Sequence, residues 1–149
     1  VISVDADPDV FKNVPDNIKI YNKAISINKN KKVIIYNKLT ESAYTSEVKD
    51  YHRHDGVEID TVTIDEISPK EEYDVLKIDI EGSEYELLSN TNFNPLPKQI
   101  SVEFHEHSLK NIHDSKIDNV LKNLSKWYDL VYTSKDNFYE YIDCLFVKR

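Results

Sequence analysis

The segment that decides the fold is "VLKIDIEGSEYELL", residues 75–88. Its first half alternates in polarity with a period of two, which is typical of a strand whose successive side chains point to opposite faces. One face consists of Leu76, Ile78 and Ile80, and the other of Val75, Lys77, Asp79 and Glu81. Acidic side chains therefore collect where the strand ends at Gly82, and this crowding predicts a site.

The residues after Gly82 predict a turn followed by a helix. The pattern S-E-Y-E is that of a capping box, in which Ser83 accepts a hydrogen bond from the amide three residues on and Glu86 reaches back. The apolar residues of this helix are Tyr85, Leu87 and Leu88. Acidic residues interact favourably with a helix N-terminus, which explains Glu84 and Glu86 without a functional role.

Strand and helix patterns alternate along most of the chain. Strands are predicted at residues 1–8, 17–26, 31–37, 75–81 and 97–107, and a terminal hairpin at 128–134 and 141–148. A short helix flanked by Thr63 and Asp65 lies within residues 57–67, and apolar spacing predicts a helix over 115–128 with Trp127 and Tyr128 in the core. This order favours an α/β sheet that is mainly parallel, closed by an antiparallel hairpin.

The bulk properties fit one domain over residues 1–149 that binds neither nucleic acid nor membrane. A net charge of -8 disfavours binding to a phosphate backbone. No apolar run is long enough to cross a bilayer, so we expect a cytoplasmic protein. The single cysteine, Cys144, lies in an apolar strand and is interpreted as a core thiol.

The segment 75–88 resembles the signature of the FkbM-type methyltransferases, S-adenosyl-L-methionine-dependent enzymes with a Rossmann-like class I fold. In that family the pattern is Leu-Leu-Lys-Ile-Asp-Val-Glu-Gly-Ala-Glu. "VISVDADP" (1–8) is similar to the family's second strand, "NIKIYNKAIS" (17–26) to its third strand and the Ala that follows, and "ISVEFHE" (100–106) to its fifth. The resemblance implies a class I sheet and a methyl transfer activity.

One part of the family pattern has no counterpart in this sequence. The first strand and its Gly-rich turn would precede Val1, and neither Gly56 nor Gly82 can replace that turn. The fold expected is therefore a Rossmann-like class I methyltransferase sheet with its first strand missing. We interpret the chain as N-terminally incomplete or as a degenerate relative of the family.

The resemblance also implies roles for individual residues. Asp5 would bind the ribose hydroxyls of S-adenosyl-L-methionine, with Ala24 and Asp79 as further cofactor contacts. From the residues alone, "DADP" is more typical of a solvated turn begun by Asp7. Asp79 would also orient the acceptor hydroxyl, act as base or hold a cation, because a buried strand seldom keeps an unpaired carboxylate.

Two further polar residues end the strand 97–107. Glu103 and His105 are two residues apart and share a face, so Asp79, Glu81, Glu103 and His105 are expected to converge. We assign His105 as catalytic base with Asp79, and Glu81 and Glu103 as contacts to the acceptor. A divalent metal at these four residues is the less favoured interpretation, and none is assigned.

The reaction predicted is O-methylation of a small molecule or sugar, dependent on S-adenosyl-L-methionine. Two alternatives stay open at the level of the sequence. One is a non-catalytic remnant that serves as a structural or interaction module. The other is a metal-dependent enzyme that uses the four convergent residues without that cofactor.

Overall fold

The computed structural model describes residues 1–36, 44–46, 57–80, 82–105, 113–134 and 141–149. The chain divides into two compact units, Val1–Ile67 and Ser68–Arg149. Each unit has its own sheet structure, and one domain over residues 1–149 stays a prediction. No helix in the described residues is long and apolar enough to span a bilayer.

The first unit begins with two parallel strands, β1 (Ile2–Asp5) and β2 (Lys19–Asn22). Strand β1 ends at Asp5, three residues earlier than the predicted strand, and a 3-10 helix follows at Pro8–Phe11. Asp7 caps this helix, since its side chain accepts a hydrogen bond of 2.9 Å from the Asp9 N–H. The local sequence therefore ends the strand and starts the turn.

The second sheet of this unit has the strand order β3-β6-β4-β5. Its strands are β3 (Ala24–Ile25), β4 (Lys32–Tyr36), β5 (Tyr44–Ser46) and β6 (Val57–Val62), followed by helix α1 (Ile64–Ile67). Strand β3 pairs with β6 in parallel, whereas β4 is antiparallel to both β5 and β6. The prediction of a single strand over 17–26 is wrong, because the strand is interrupted at Lys23 and its two parts pair in different sheets.

Helix α1 has one half of the capping box that was predicted for α2: the glutamate three residues on reaches back to the residue before the helix. The Glu66 carboxylate accepts hydrogen bonds from the Thr63 N–H at 2.9 Å and from the Thr63 hydroxyl at 3.0 Å. Thr63 thus precedes the helix as expected, while Asp65 lies inside it. Strand β6, immediately before this helix, was not predicted.

The second unit has one sheet with the strand order β7-β8-β10-β9. Its elements are β7 (Val75–Ile78), α2 (Glu84–Asn90), β8 (Gln99–His105), α3 (His113–Leu124), β9 (Tyr128–Thr133) and β10 (Tyr141–Lys148). Strands β7 and β8 are parallel, and β10 is antiparallel to both β8 and β9. The terminal hairpin is confirmed.

The α/β class is confirmed, but the prediction of a mainly parallel sheet is wrong. Of the strand pairs in the described residues, three are parallel and four are antiparallel. The antiparallel pairs arise from two additions: the excursion through β4 and β5, and the insertion of β10 between β8 and β9. Both units are therefore mixed in strand direction.

The core of the second unit corrects one aromatic assignment. Tyr128 is 2% exposed and donates a hydrogen bond of 2.9 Å to the Pro97 carbonyl, whereas Trp127 is 54% exposed. Helix α3 ends at Leu124, so the helical spacing that placed Trp127 inward no longer applies. Cys144 is buried as predicted, and burial raises the pKa of its thiol to about 11.

Candidate active site

Parallel pairing of β7 and β8 brings the ends of these strands to one edge of the sheet. Ile78 is opposite Val102 in the register, so the next residues, Asp79 and Glu103, follow neighbouring strands at the same level. Carboxyl ends of parallel strands form the edge at which ligands bind in open α/β sheets. The carboxylates of Asp79 and Glu103 therefore lie at that edge.

The outward face of β7 is more open than the sequence predicted. Val75 is 54% exposed, and the side chain of Asp79 is 36% exposed. Asp79 Oδ2 lies 3.3 Å from Lys77 Nζ, so the carboxylate is paired as well as accessible. The argument for function from a buried unpaired carboxylate is wrong, because the Asp79 carboxylate is partly exposed and is paired with Lys77.

His105 joins the two carboxylates, as predicted from its spacing. Its Nε2 lies 3.3 Å from Glu103 Oε1 and 3.9 Å from Asp79 Oδ1. One ligand atom from each of the three side chains lies within 4.8 Å of the others, although His105 is only 5% exposed. Convergence is confirmed for these three residues, and Glu81 lies outside the described residues.

A third acidic residue, Glu84, contacts the opposite nitrogen of His105. Glu84 Oε1 lies 3.1 Å from His105 Nδ1, and Glu84 is fully buried. Its carboxylate also accepts hydrogen bonds from the backbone N–H groups of Ile80 and Gly82 at 2.9–3.0 Å. Glu84 therefore links the turn after β7 to the imidazole at the end of β8.

This arrangement replaces the predicted capping box. The Ser83 side chain makes no capping hydrogen bond to α2, and Glu86 is exposed. Gly82 has a φ of 104°, and a Cβ there would meet nothing within 4 Å, so glycine is required for the backbone conformation rather than for space. Sequence reasoning placed Glu84 at the helix N-terminus, where it does lie, but did not predict its contact with His105.

A signal for Glu84 was present in the sequence. Residues three and four apart lie on the same face of a helix. Glu84 therefore shares a face with Leu87 and Leu88, both of which are buried. An acid on the apolar stripe of a helix predicts a buried carboxylate that requires a partner.

The surroundings of Glu103 favour its protonated form. Burial raises the pKa of Glu103, and the neighbouring Asp79 carboxylate raises it further, while His105 acts in the opposite direction. Two acids and an imidazole at this distance compete for protons and for any cation that enters. The cluster is therefore suited to proton transfer or to binding a positive charge.

The other predicted cofactor residues belong to the first unit. Asp5 is exposed at the end of β1, and its Oδ1 accepts a hydrogen bond of 2.8 Å from the Asp7 N–H. The Asn22 amide donates to the carbonyls of Asp5 and Ala6 at 3.0 Å each, which fixes the exit of the strand. Ala24 is 5% exposed at the start of β3. Ribose binding by Asp5 and cofactor contact by Ala24 stay predictions.

A family model described as the methyltransferase FkbM domain matches residues 1–130. The chain belongs to the FkbM methyltransferase family. No curated protein and no solved structure matches the sequence. The matched residues include Asp79, Glu84, Glu103 and His105. Strand β10, which pairs with β8, comes after the matched residues.

The FkbM domain thus offers an accessible cluster of acceptor atoms at the carboxyl edge of β7 and β8. Asp79 and Glu103 can accept hydrogen bonds from hydroxyl groups, and the nearby Nε2 of His105 can take a proton. Together these groups can orient and deprotonate a hydroxyl.

Proposed function

We propose that this FkbM domain transfers a methyl group from S-adenosyl-L-methionine to a hydroxyl oxygen of a small molecule or sugar, with His105 as base. The observation that carries the proposal is the position of Asp79 and Glu103 around Nε2 of His105. The parallel pairs β1/β2 and β7/β8 support a Rossmann-like class I arrangement for such a domain.

The reaction needs alignment of donor and acceptor and removal of one proton. S-adenosyl-L-methionine would supply an electrophilic methyl group bonded to a sulfonium sulfur. Its S–CH₃ bond would break as the new O–C bond forms, and the sulfur would depart as a neutral thioether. Asp79 and Glu103 accept hydrogen bonds from hydroxyls of the acceptor and orient its reactive oxygen. The hydroxyl proton moves to Nε2 of His105, so charge does not accumulate on the product oxygen.

The residues proposed to hold the donor are Asp5, Ala24 and Asp79. Asp5 fits the ribose end, since an exposed carboxylate at the end of a parallel strand offers acceptor atoms to vicinal hydroxyls. Glu81 is proposed as a further acceptor contact, on the basis of its place in the sequence between Asp79 and Gly82. Asp5→Ala should therefore weaken donor binding and leave the Asp79 cluster intact.

Two measurements test this function. Titration calorimetry with S-adenosylhomocysteine should give saturable binding, weakened by Asp5→Ala. Transfer of a radiolabelled methyl group to a panel of sugars, polyols and phenols should fall by about 10²- to 10⁴-fold in His105→Gln, the usual contribution of a general base. Glu86→Gln is the matched surface control. Unchanged turnover in His105→Gln would exclude it as the base.

The same geometry favours one second candidate, a divalent cation held by Asp79, Glu103 and His105. Two carboxylates and an imidazole within 4.8 Å form a plausible ligand set. A cation there would bind an acceptor oxygen and lower its pKa, replacing the base. Elemental analysis of the purified protein and thermal shifts with Mg²⁺, Mn²⁺ and Zn²⁺ test this. Absence of bound metal and of any shift would contradict it, as would equal shifts in Asp79→Asn.

A further inference from the structure

The proposed reaction gives no role to Glu84, a buried acidic residue beside His105. Glu84 is fully buried. Burying a carboxylate is costly unless hydrogen bonds compensate for the lost water. A turn between a strand and a helix can be closed by glycine and a small polar cap alone. The position of a glutamate here therefore calls for an explanation beyond the turn.

The contacts of Glu84 fix the direction of its hydrogen bonds. The backbone N–H groups of Ile80 and Gly82 are donors only, so the Glu84 oxygens act as acceptors toward them. The contact of 3.1 Å with His105 Nδ1 uses one of the same oxygens, Oε1. The three nitrogens that contact this carboxylate in these hydrogen bonds can all act as donors.

The bond to Glu84 selects which nitrogen of His105 carries a proton. A neutral imidazole has one N–H, and its other nitrogen is an acceptor. When Nδ1 donates to Glu84, the accepting nitrogen is Nε2, which is the one beside Asp79 and Glu103. The opposite tautomer would direct a lone pair at the Glu84 carboxylate, which is fully buried and 3.1 Å from Nδ1. The Nδ1–H tautomer directs its lone pair toward Glu103 and Asp79, which are partly exposed and farther from Nε2, at 3.3 and 3.9 Å, so it is the less costly of the two.

We infer that Glu84 is a positioning residue, which holds a proton on Nδ1 of His105 so that Nε2 can accept the proton of the substrate hydroxyl. The catalytic consequence rests on the proposed function. The hydrogen bond itself does not, because the tautomer of His105 can be measured without substrate.

The direct test is the tautomer of His105 in the unmodified protein. Long-range ¹H–¹⁵N correlation spectra distinguish protonated from unprotonated ring nitrogens, and the His105 signals are assigned by their loss in His105→Gln. We expect the neutral imidazole to carry its proton on Nδ1. A proton on Nε2, with Nδ1 unprotonated, would overturn the inference whatever the activity.

The substitution Glu84→Gln tests the cause of the tautomer. Its single carbonyl oxygen can still accept from the backbone turn, while its NH₂ group would donate to Nδ1 and so favour a proton on Nε2. We expect this shift of the proton in Glu84→Gln and not in Glu86→Gln, the same substitution at an exposed position of α2. An unchanged tautomer in Glu84→Gln would overturn the assignment.

Kinetics separates positioning from general damage. A base held in the wrong tautomer should lower kcat by about 10²- to 10⁴-fold, with the KM for S-adenosyl-L-methionine unchanged. A rise in KM with unchanged kcat would contradict the role of Glu84. If no methyl transfer occurs even in the unmodified protein, the proposed function fails, and the spectra still decide whether Glu84 sets the tautomer.

Discussion

Glu84→Ala is expected to destabilise the second unit by about 2 to 5 kcal/mol. The substitution removes an acceptor from the N–H groups of Ile80 and Gly82 and from His105 Nδ1. His105 is 5% exposed, so leaving its buried nitrogen unsatisfied costs about 1 to 3 kcal/mol. Gly82 is exposed and regains water, so the backbone groups together add only about 1 to 2 kcal/mol.

The chain contains a convenient probe for this measurement. Trp127 is the single tryptophan of the sequence and lies between α3 and β9, within the same unit as Glu84. Its fluorescence during urea unfolding therefore reports on that unit, and linear extrapolation gives the free energy of unfolding.

The matched control is Glu86→Ala, two residues further along α2 at an exposed position. Surface substitutions of this kind change the free energy of unfolding by no more than about 0.5 kcal/mol. If Glu84→Ala changed it as little as Glu86→Ala, the carboxylate would not hold the turn and imidazole as described. The reasoning on His105 would then lose its structural basis.

Three further predictions concern other parts of the chain. Phe104 is fully buried with its ring 5.0 Å from that of Tyr85, so Phe104→Ala should cost about 3 to 5 kcal/mol in the same assay; a cost below about 1 kcal/mol would contradict this packing. Because burial raises the pKa of Cys144 to about 11, iodoacetamide should react slowly at about pH 8 with the folded protein and quickly in urea, and equal rates would be inconsistent with a core thiol. Hydrogen bonds from Thr63 lower the pKa of Glu66, so its stabilising effect is present above the ordinary Glu pKa and lost as pH falls through the lowered value. The stability difference between the unmodified protein and Glu66→Gln, followed by circular dichroism, should therefore shrink on acidification, and a pH-independent difference would refute it.

Strand alternation was sufficient to predict most of the candidate site. The phase of β7 follows from Leu76 and Ile78, and the spacing of Glu103 and His105 places both on one face of β8. Since parallel strands end at the same edge, adjacency of β7 and β8 brings Asp79 to them. These inferences need only local periodicity and the pairing of β7 with β8, so they can be made from the sequence.

The sheet arrangement of the first unit depends on long-range choices that periodicity does not contain. The alternation in residues 17–26 continues through Lys23, yet pairing with β1 on one side and with β6 on the other divides it. Strand β6 itself runs directly into α1, so its pattern was attributed to the helix. In both cases the partner strand, and not the local sequence, decides where an element ends.

Glu84 shows why the capping-box rule predicted the turn after β7 but assigned its closing contacts to the wrong residues. The pattern S-E-Y-E satisfies the capping box through Ser83 and Glu86, and nothing in those four residues favours a different cap. His105 decides that Glu84 takes this position, because it lies 21 positions away in sequence and places a buried donor next to the Glu84 carboxylate. Once that donor is buried, only a carboxylate on the inward face of α2 can satisfy it together with the turn. The residue that closes the turn is therefore the one that orients the imidazole, so the turn after β7 belongs to the candidate site as much as Asp79 does.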